Sequence, residues 1–311
     1  MRRTAAALVL LLAPLVGCRG GEKKLRIGSK NFSEQVLLGE IAAQALEAKG
    51  IAVDRKLNLG GTFVCHSAVK AGELDLYPEY TGTAFTAILG EKPVSDPAAV
   101  RRAVADAYAK RWNLHWSPPL GFENTFALVV RKEDAARLHL ARISDLRGRE
   151  GELRPGFGYE FLERQDGFPG LARAYGLSFR ERPVEMDLGL LYQALATRKV
   201  DLIAGNSTDG LIAALDAVVL EDDRRYFPPY EAAFVVRDAA WRRPGVAAAL
   251  APLAGAIDAT TMRRLNAAID RDKKRPEDVA RDFLATLASR SGSRSGVNAE
   301  FLHPDDAAFQ R

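Results

Sequence analysis

Residues 25–28 form a short strand-like run that stops at a turn. After it, Leu38, Ile41, Ala42, Ala45 and Leu46 recur at the spacing of one helix face. The pattern predicts a strand and then a helix. Asn31 followed by Glu34 reads as a capping box at the helix start, and Gly50 as its stop. Val53, Leu57 and Leu59 alternate with Asp54, Lys56 and Asn58, the period of a half-buried strand, although Arg55 interrupts the apolar side. Gly60-Gly61-Thr62 opens a second helix that ends near Gly72, and residues 75–80 read as the next strand. This alternation is the order of an α/β layer with parallel strands.

The alternation resumes after a helical stretch at 97–111. Strands are expected at 126–131, 179–183, 200–205, 218–221 and 232–237. Helices are expected at 171–175, 186–199 and through 244–289, with 134–152 mixed and helical. Residues 291–311 are Ser/Gly-rich and then polar, and read as a loosely ordered tail.

Two stretches repeat each other's pattern. A helix, Asp75-Leu76, a strand and Thr81-Gly82 find their echo in a helix, Asp201-Leu202, a strand and Thr208-Asp209-Gly210. Tyr80 and Asn206 each lie five residues past their aspartate and are equivalent positions in that echo. Phe126-Ala127-Leu128-Val129-Val130-Arg131 is likewise echoed by Ala232-Ala233-Phe234-Val235-Val236-Arg237, which suits two chain crossings between lobes. The echoes predict two α/β lobes with a cleft between them.

Composition narrows the class. With 311 residues, 47% hydrophobic and 27% charged, the chain fits a globular protein of two domains. The net charge of +4 includes Arg2 and Arg3, and the remaining basic residues are interspersed with acids. No basic stripe with interleaved aromatics occurs, so nucleic acid is not an expected partner. Met1-Arg2-Arg3 and the apolar run from Ala5 to Val16 have the form of a secretory signal, too short to span a bilayer. The run ends in Leu15-Val16-Gly17-Cys18, which resembles a bacterial lipobox; residues 1–18 are expected to be a lipoprotein signal peptide and Cys18 the acylated residue. Cys65 is then the one cysteine left, without a disulfide partner. His66 beside it makes a poor dyad, because adjacent helical residues point about 100° apart, and a small buried thiol is the expectation. His66, His115, His139 and His303 show no metal-ligand spacing, and no nucleophile elbow, phosphate loop or dinucleotide fingerprint is present. Glu79 and Asp209 have no nucleophile beside them, so an enzyme is not expected, nor a cofactor.

Several stretches resemble the glycine betaine/carnitine/choline-binding proteins of osmoprotectant ABC importers. They are Ile27-Gly28-Ser29-Lys30-Asn31-Phe32, Asn58-Leu59-Gly60-Gly61-Thr62, Tyr77-Pro78-Glu79-Tyr80-Thr81-Gly82-Thr83 and Glu123-Asn124-Thr125-Phe126-Ala127-Leu128. Tyr159-Glu160-Phe161-Leu162-Glu163-Arg164, residues 186–195, Ser207-Thr208-Asp209-Gly210 and Phe227-Pro228-Pro229-Tyr230-Glu231-Ala232 follow in family order. The resemblance implies a type II periplasmic-binding-protein fold, two α/β lobes joined by a two-crossing hinge. Lobe 1 would comprise 25–125 plus 230–290 and lobe 2 residues 126–229, with crossings near 124–127 and 227–231. It implies an extracytoplasmic subunit, lipid-anchored, that delivers a small quaternary-ammonium ligand to an ABC permease and its ATPase.

The chemistry of that ligand fits residues the resemblance singles out. A trimethylammonium group cannot donate an N–H hydrogen bond and is best held by aromatic faces. Tyr80, Phe126 and Tyr230 match aromatic cage positions of the family. A betaine carboxylate wants fixed donors. Lys30 beside the first helix, Arg164 at the family's carboxylate-binding arginine and the Thr83 hydroxyl would supply them. The chain departs from the family at Asn206, commonly tyrosine there, and at Phe126, often tyrosine. Either glycine betaine is held weakly, or the Asn206 amide reads a polar group on another ligand. Carnitine, choline, proline betaine and ergothioneine are the alternatives, as is a sensor lipoprotein that kept the fold without transport.

Overall fold

The protein is described by a computed structural model over residues 23–297, with side chains through Arg290. Cys18 and the expected leader lie outside the described residues. In chain order the strands are β1 (Leu25–Lys30), β2 (Val53–Gly60), β3 (Leu76–Tyr80), β4 (Leu114–Trp116) and β5 (Phe126–Arg131). They continue as β6 (Pro155–Phe157), β7 (Val184–Glu185), β8 (Leu202–Asn206), β9 (Ala217–Val219) and β10 (Ala232–Arg237). They form two five-stranded sheets, ordered β2-β1-β3-β10-β4 and β7-β6-β8-β5-β9.

The two sheets share one plan. In the first, β1 runs parallel to β2 and β3, and β10 returns antiparallel to β3. In the second, β6 runs parallel to β7 and β8, and β5 is antiparallel to β8. The likeness extends to single side chains. Asp75 accepts from the backbone N–H of Arg26 at 2.8 Å and from Arg237 at 3.3 Å. Asp201 accepts from the backbone N–H of Arg154 at 3.1 Å and from the Arg131 guanidinium. Each aspartate thus ties the start of a parallel strand to the arginine that ends the antiparallel strand, so the sequence echoes mark equivalent structural positions.

Continuous apolar runs become central strands because both faces are covered. On β10, Phe234 and Val236 join one core cluster, while Val235 between them joins another with Tyr77, Tyr108 and Cys65. On β5, Leu128 and Val130 pack with Phe157 and Phe161, whereas Ala127 and Val129 pack with Leu195 and Ile203. Successive side chains on a strand point to opposite faces, so each run feeds two layers of core. β2 is an edge strand, and Arg55 there is held at 2.9 Å from Glu40 and 2.7 Å from Glu47.

Two helices position the site: α1 (Ser33–Glu47) after β1, and α2 (Thr62–Ala71) after β2. Gly72 follows α2 at φ +75°, the left-handed stop that glycine adopts without strain. The chain passes from sheet to sheet between β4 and β5 and returns between β9 and β10. These two stretches meet in an antiparallel bridge between Glu123 and Glu231.

Four expectations are corrected. The Asn31–Glu34 capping box does not form; Phe32 occupies the N-cap position without a side-chain cap, and Glu34 is drawn into a buried network instead. Residues 179–183 make no strand; the neighbouring pair Val184–Glu185 does, exposed and at the sheet edge, where one hydrogen-bonded neighbour limits its length. The helix expected at 186–199 is shorter, a 3₁₀ turn at Leu188–Leu190 leading into Leu191–Ala196. The last helix, Pro276–Val297, continues into the stretch expected to be tail. β4 and β6 carry too few residues for an alternation to register.

Candidate functional site

All seven residues expected at the ligand site line one cavity between the sheets: Lys30, Tyr80, Thr83, Phe126, Arg164, Asn206 and Tyr230. Topology explains the convergence. Lys30, Tyr80 and Asn206 are the last residues of β1, β3 and β8. Phe126 opens β5 and Tyr230 precedes β10, strands that run the other way and therefore begin at the same end. Open α/β sheets place ligands outside the carboxyl ends of their strands. Phe126 and Asn206 are direct register partners across β5 and β8. Arg164 follows the helix Tyr159–Glu163, and Thr83 ends the single turn Thr81–Thr83.

Aromatic rings supply much of the apolar wall. Phe126 lies edge-on to Phe161 at 4.8 Å and to Tyr230 at 6.2 Å between ring centroids. Phe32 and Phe161 also line the cavity, so five rings surround it although position 206 offers none. Gly82 lets Tyr230 in: a Cβ there would stand 2.7 Å from both the ring and Pro229 O. The space open to the centre of a water-sized sphere is about 50 Å³, several times the roughly 10–15 Å³ that accommodates one water. Lys30, Tyr80, Thr83, Arg164 and Tyr230 are buried, and Phe126 and Asn206 are partly exposed.

Both cations are already paired. Lys30 Nζ lies 2.5 Å from Glu79 Oε1 and 5.1 Å above the Tyr80 ring. Burial pushes the Glu79 carboxyl up, against the pull of Lys30. Arg164 donates to Asp166 through Nε at 2.9 Å and Nη2 at 2.5 Å, and reaches Thr83 Oγ1 at 3.3 Å. Burial opposes the guanidinium charge, but Asp166 outweighs it and holds Arg164 above its ordinary range. Burial likewise works to raise Asp166, and Arg164 with the hydroxyls of Thr86 and Tyr230 brings it below the usual carboxylate value. Arg164 Nη1 makes no hydrogen bond among the described residues and stands 3.6 Å from Glu160, leaving one guanidinium edge for a ligand oxygen. The guanidinium carbon sits 5.1 Å over the Phe126 ring.

Asn206 is held from behind. Asp209 accepts from the Asn206 backbone N–H at 2.8 Å, from its Nδ2 at 3.3 Å and from Tyr192 OH at 2.8 Å. Burial pushes Asp209 up to about 7 despite those donors. One of the two Nδ2 hydrogens is thereby used, and the Asn206 side-chain carbonyl oxygen and the second N–H are left for the cavity.

Residues of the two sheets also grip each other directly. Thr62 at the start of α2 donates its backbone N–H to Glu160 and its hydroxyl at 3.0 Å, and Gly61 leaves room for that carboxylate. Asp166 accepts from Thr86 at 2.6 Å and Tyr230 at 2.8 Å. Glu34 accepts from Tyr80 OH at 2.6 Å, Asn124 Nδ2 at 2.8 Å, Thr208 Oγ1 at 2.6 Å and Asn266 Nδ2 at 2.8 Å. Burial raises the Glu34 carboxyl even with those four donors. Glu34, Glu79, Glu160 and Asp166 were not singled out as site residues. Glu79 and Glu160 lie inside motifs quoted above and Asp166 lies two residues past Arg164, which is the signal that could have found them. Cys65 and His66 belong to the core, where burial pushes the thiol up to about 12 and the imidazole down to about 4.

Comparison with known proteins places these features in context. The family model described as the substrate-binding domain of an ABC-type glycine betaine transport system matches residues 23–286. The glycine-betaine-binding protein of Pseudomonas aeruginosa is 36% identical over 296 residues, covering 91% of this chain and 94% of that one. The ergothioneine transport permease/ergothioneine binding protein of Helicobacter pylori is 37% identical over 268 residues, 86% of this chain; the chain spans about half of that relative, 48%. A crystal structure of a glycine betaine/carnitine/choline ABC transporter is 33% identical, with a TM-score of 0.69 over 85% of this chain and 98% of that one.

Proposed function

The chain belongs to the family of substrate-binding domains of ABC-type glycine betaine transport systems, and from that premise we propose that it captures a small quaternary-ammonium zwitterion between its two lobes and delivers it to a membrane permease. One observation carries the reading: five aromatic rings and a single open guanidinium edge line the same cavity. The rings suit a methylated ammonium, whose diffuse charge is attracted by π faces and whose methyl groups they cover. The Arg164 edge, stiffened by Asp166, suits the carboxylate at the other end. Lys30 is held in place by its pair with Glu79, its ammonium 5.1 Å from the centre of the Tyr80 ring. Thr83 steadies Arg164.

Charge balance supports a zwitterion. Arg164 and Lys30 are each neutralised by a buried carboxylate, so a ligand with no net charge leaves no buried charge uncompensated. A second reading, a ligand other than glycine betaine, draws on Asn206, which offers a carbonyl oxygen where a ring would stand. Lipid attachment through Cys18 at the outer face of the membrane is part of the proposal and rests on the Leu15–Cys18 sequence. The proposal also includes the ATPase that drives the permease.

Calorimetry with glycine betaine, carnitine, choline and ergothioneine tests the reading. Binding of at least one of them, with no change in the compound, is expected. Absence of binding to all four sinks it.

A further inference from the structure

The aromatic cavity is not closed on all sides by protein core. Four of its residues, Phe32, Leu188, Ala204 and Asn206, also wall a second cavity between the lobes, an outer chamber that opens to solvent. On the same measure that gives the cage about 50 Å³, the chamber gives about 530 Å³. Asn206 is the polar residue of that shared wall. Its short amide lines both spaces, and its side-chain carbonyl oxygen accepts no hydrogen bond among the described residues.

The chamber has its own chemistry. Glu34, Asp187, Asp209 and Asp270 line it, with Lys273 as the one cationic side chain in its wall. Burial raises the carboxyls of Glu34 and Asp270 and brings Asp209 to about 7. Asn266, 1% exposed, also lines it; its Nδ2 is tied to Glu34 and to Thr208 O, while its Oδ1 has no partner among the described residues. Carboxyl groups outnumber cationic side chains in the wall, although Asn31, Asn58 and Lys273 also bring donors. Such a lining favours a group that brings N–H or O–H donors and disfavours an anion.

We propose that the binding site continues past Asn206 into this chamber, and that the ligand is a betaine carrying a second, donor-bearing arm, such as a nitrogen heterocycle, beyond its trimethylammonium and carboxylate groups. This deepens the functional reading above and rests on it. The cage and the Arg164 edge hold the betaine end. The arm passes Leu188 and Ala204, meets the Asn206 carbonyl, and places its donors against the acceptors of the chamber.

Two probes separate the proposal from the reading beneath it. Glycine betaine fills the cage alone, whereas ergothioneine has the same betaine end and an imidazole-derived ring with N–H donors. Calorimetry on the wild-type chain should show ergothioneine bound at least tenfold more tightly than glycine betaine. Asn206→Tyr should fill the junction of the two cavities and lower the ratio of the two affinities by tenfold or more. Asp270→Asn, in the chamber and away from the cage, should lower the same ratio severalfold. Its Tm guards against misreading a folding defect. If wild type binds glycine betaine as tightly as ergothioneine, the extended site is wrong and the cage stands. If neither ligand binds, the cage reading fails and takes the extension with it. Ratios unchanged in both variants likewise overturn the extension.

Discussion

Glu34 Oε2 accepts a hydrogen bond from Thr208 Oγ1 at 2.6 Å, and this contact joins the two lobes through a carboxylate only 3% exposed. The other oxygen accepts from Tyr80 of the cage and from Asn124, on the first crossing between sheets. One side chain thus links a cavity ring, a crossing and the opposite lobe, and a ligand that fixes Tyr80 is expected to favour this arrangement.

Thr208→Val keeps the side-chain shape and removes the donor. A hydrogen bond to a charged group contributes about 1.5–3 kcal/mol, so ligand affinity should fall about ten- to hundredfold. Calorimetry gives the loss. Scattering with and without saturating ligand should show a smaller radius of gyration on binding in wild type and a weaker contraction in the variant. An unaltered affinity would mean that the contact does not report on closure.

Arg164→Ala should discriminate between ligands. It removes the guanidinium edge, so a carboxylated betaine should lose about tenfold or more in affinity, from the roughly 1.5–3 kcal/mol of a charge-assisted bond. Choline, without a carboxylate, should lose less. Because the change also leaves the buried Asp166 without its counter-ion, Tm must be followed in the same samples. Equal losses for both ligands would remove Arg164 from its assigned role.

Asp209 gives stability a pH dependence of defined sign. Its carboxyl titrates near 7 in the folded chain against an ordinary 3.8. The folded state therefore holds this proton more tightly than the unfolded state. The contribution favours folding relative to high pH, is intact below about pH 4, and is lost as pH rises through about 7. Asp209→Asn removes it, so the Tm of the variant relative to wild type should climb between pH 4 and 8. A difference that stays flat over that range contradicts the assignment. The same change lets the Asn206 amide turn and present Nδ2 instead of its carbonyl, which should weaken a donor-bearing arm at neutral pH.

Cys18→Ala tests the anchor. The wild-type protein should carry an acyl group and fractionate with membranes, and the variant should not. Mass spectrometry of the exported protein decides, and an unacylated, fully soluble wild type would contradict the lipobox reading.

Much of the fold was legible in one dimension. Runs such as Phe126–Arg131 and Ala232–Arg237 are apolar on both faces, and that burial is written directly into their composition. The Asp75 and Asp201 echoes were visible because each aspartate does the same work for its strand. Five of the seven cavity residues were legible through motifs at strand ends, and Thr83 and Arg164 through motifs on short helical segments. Partnerships across the fold were not. Lys30 and Glu79 are 49 residues apart, and Glu34 and Thr208 are 174 apart. Periodicity reports which face of an element is buried, but not which distant group meets it there. Glu34 has the spacing of a helix cap, and the chain spends it elsewhere because Tyr80, Asn124, Thr208 and Asn266 converge on the same buried point. Asn206 shows the same division. The sequence determined that position 206, at the end of β8, carries an amide and not a ring; only the tertiary structure decided that two cavities share that residue in their walls.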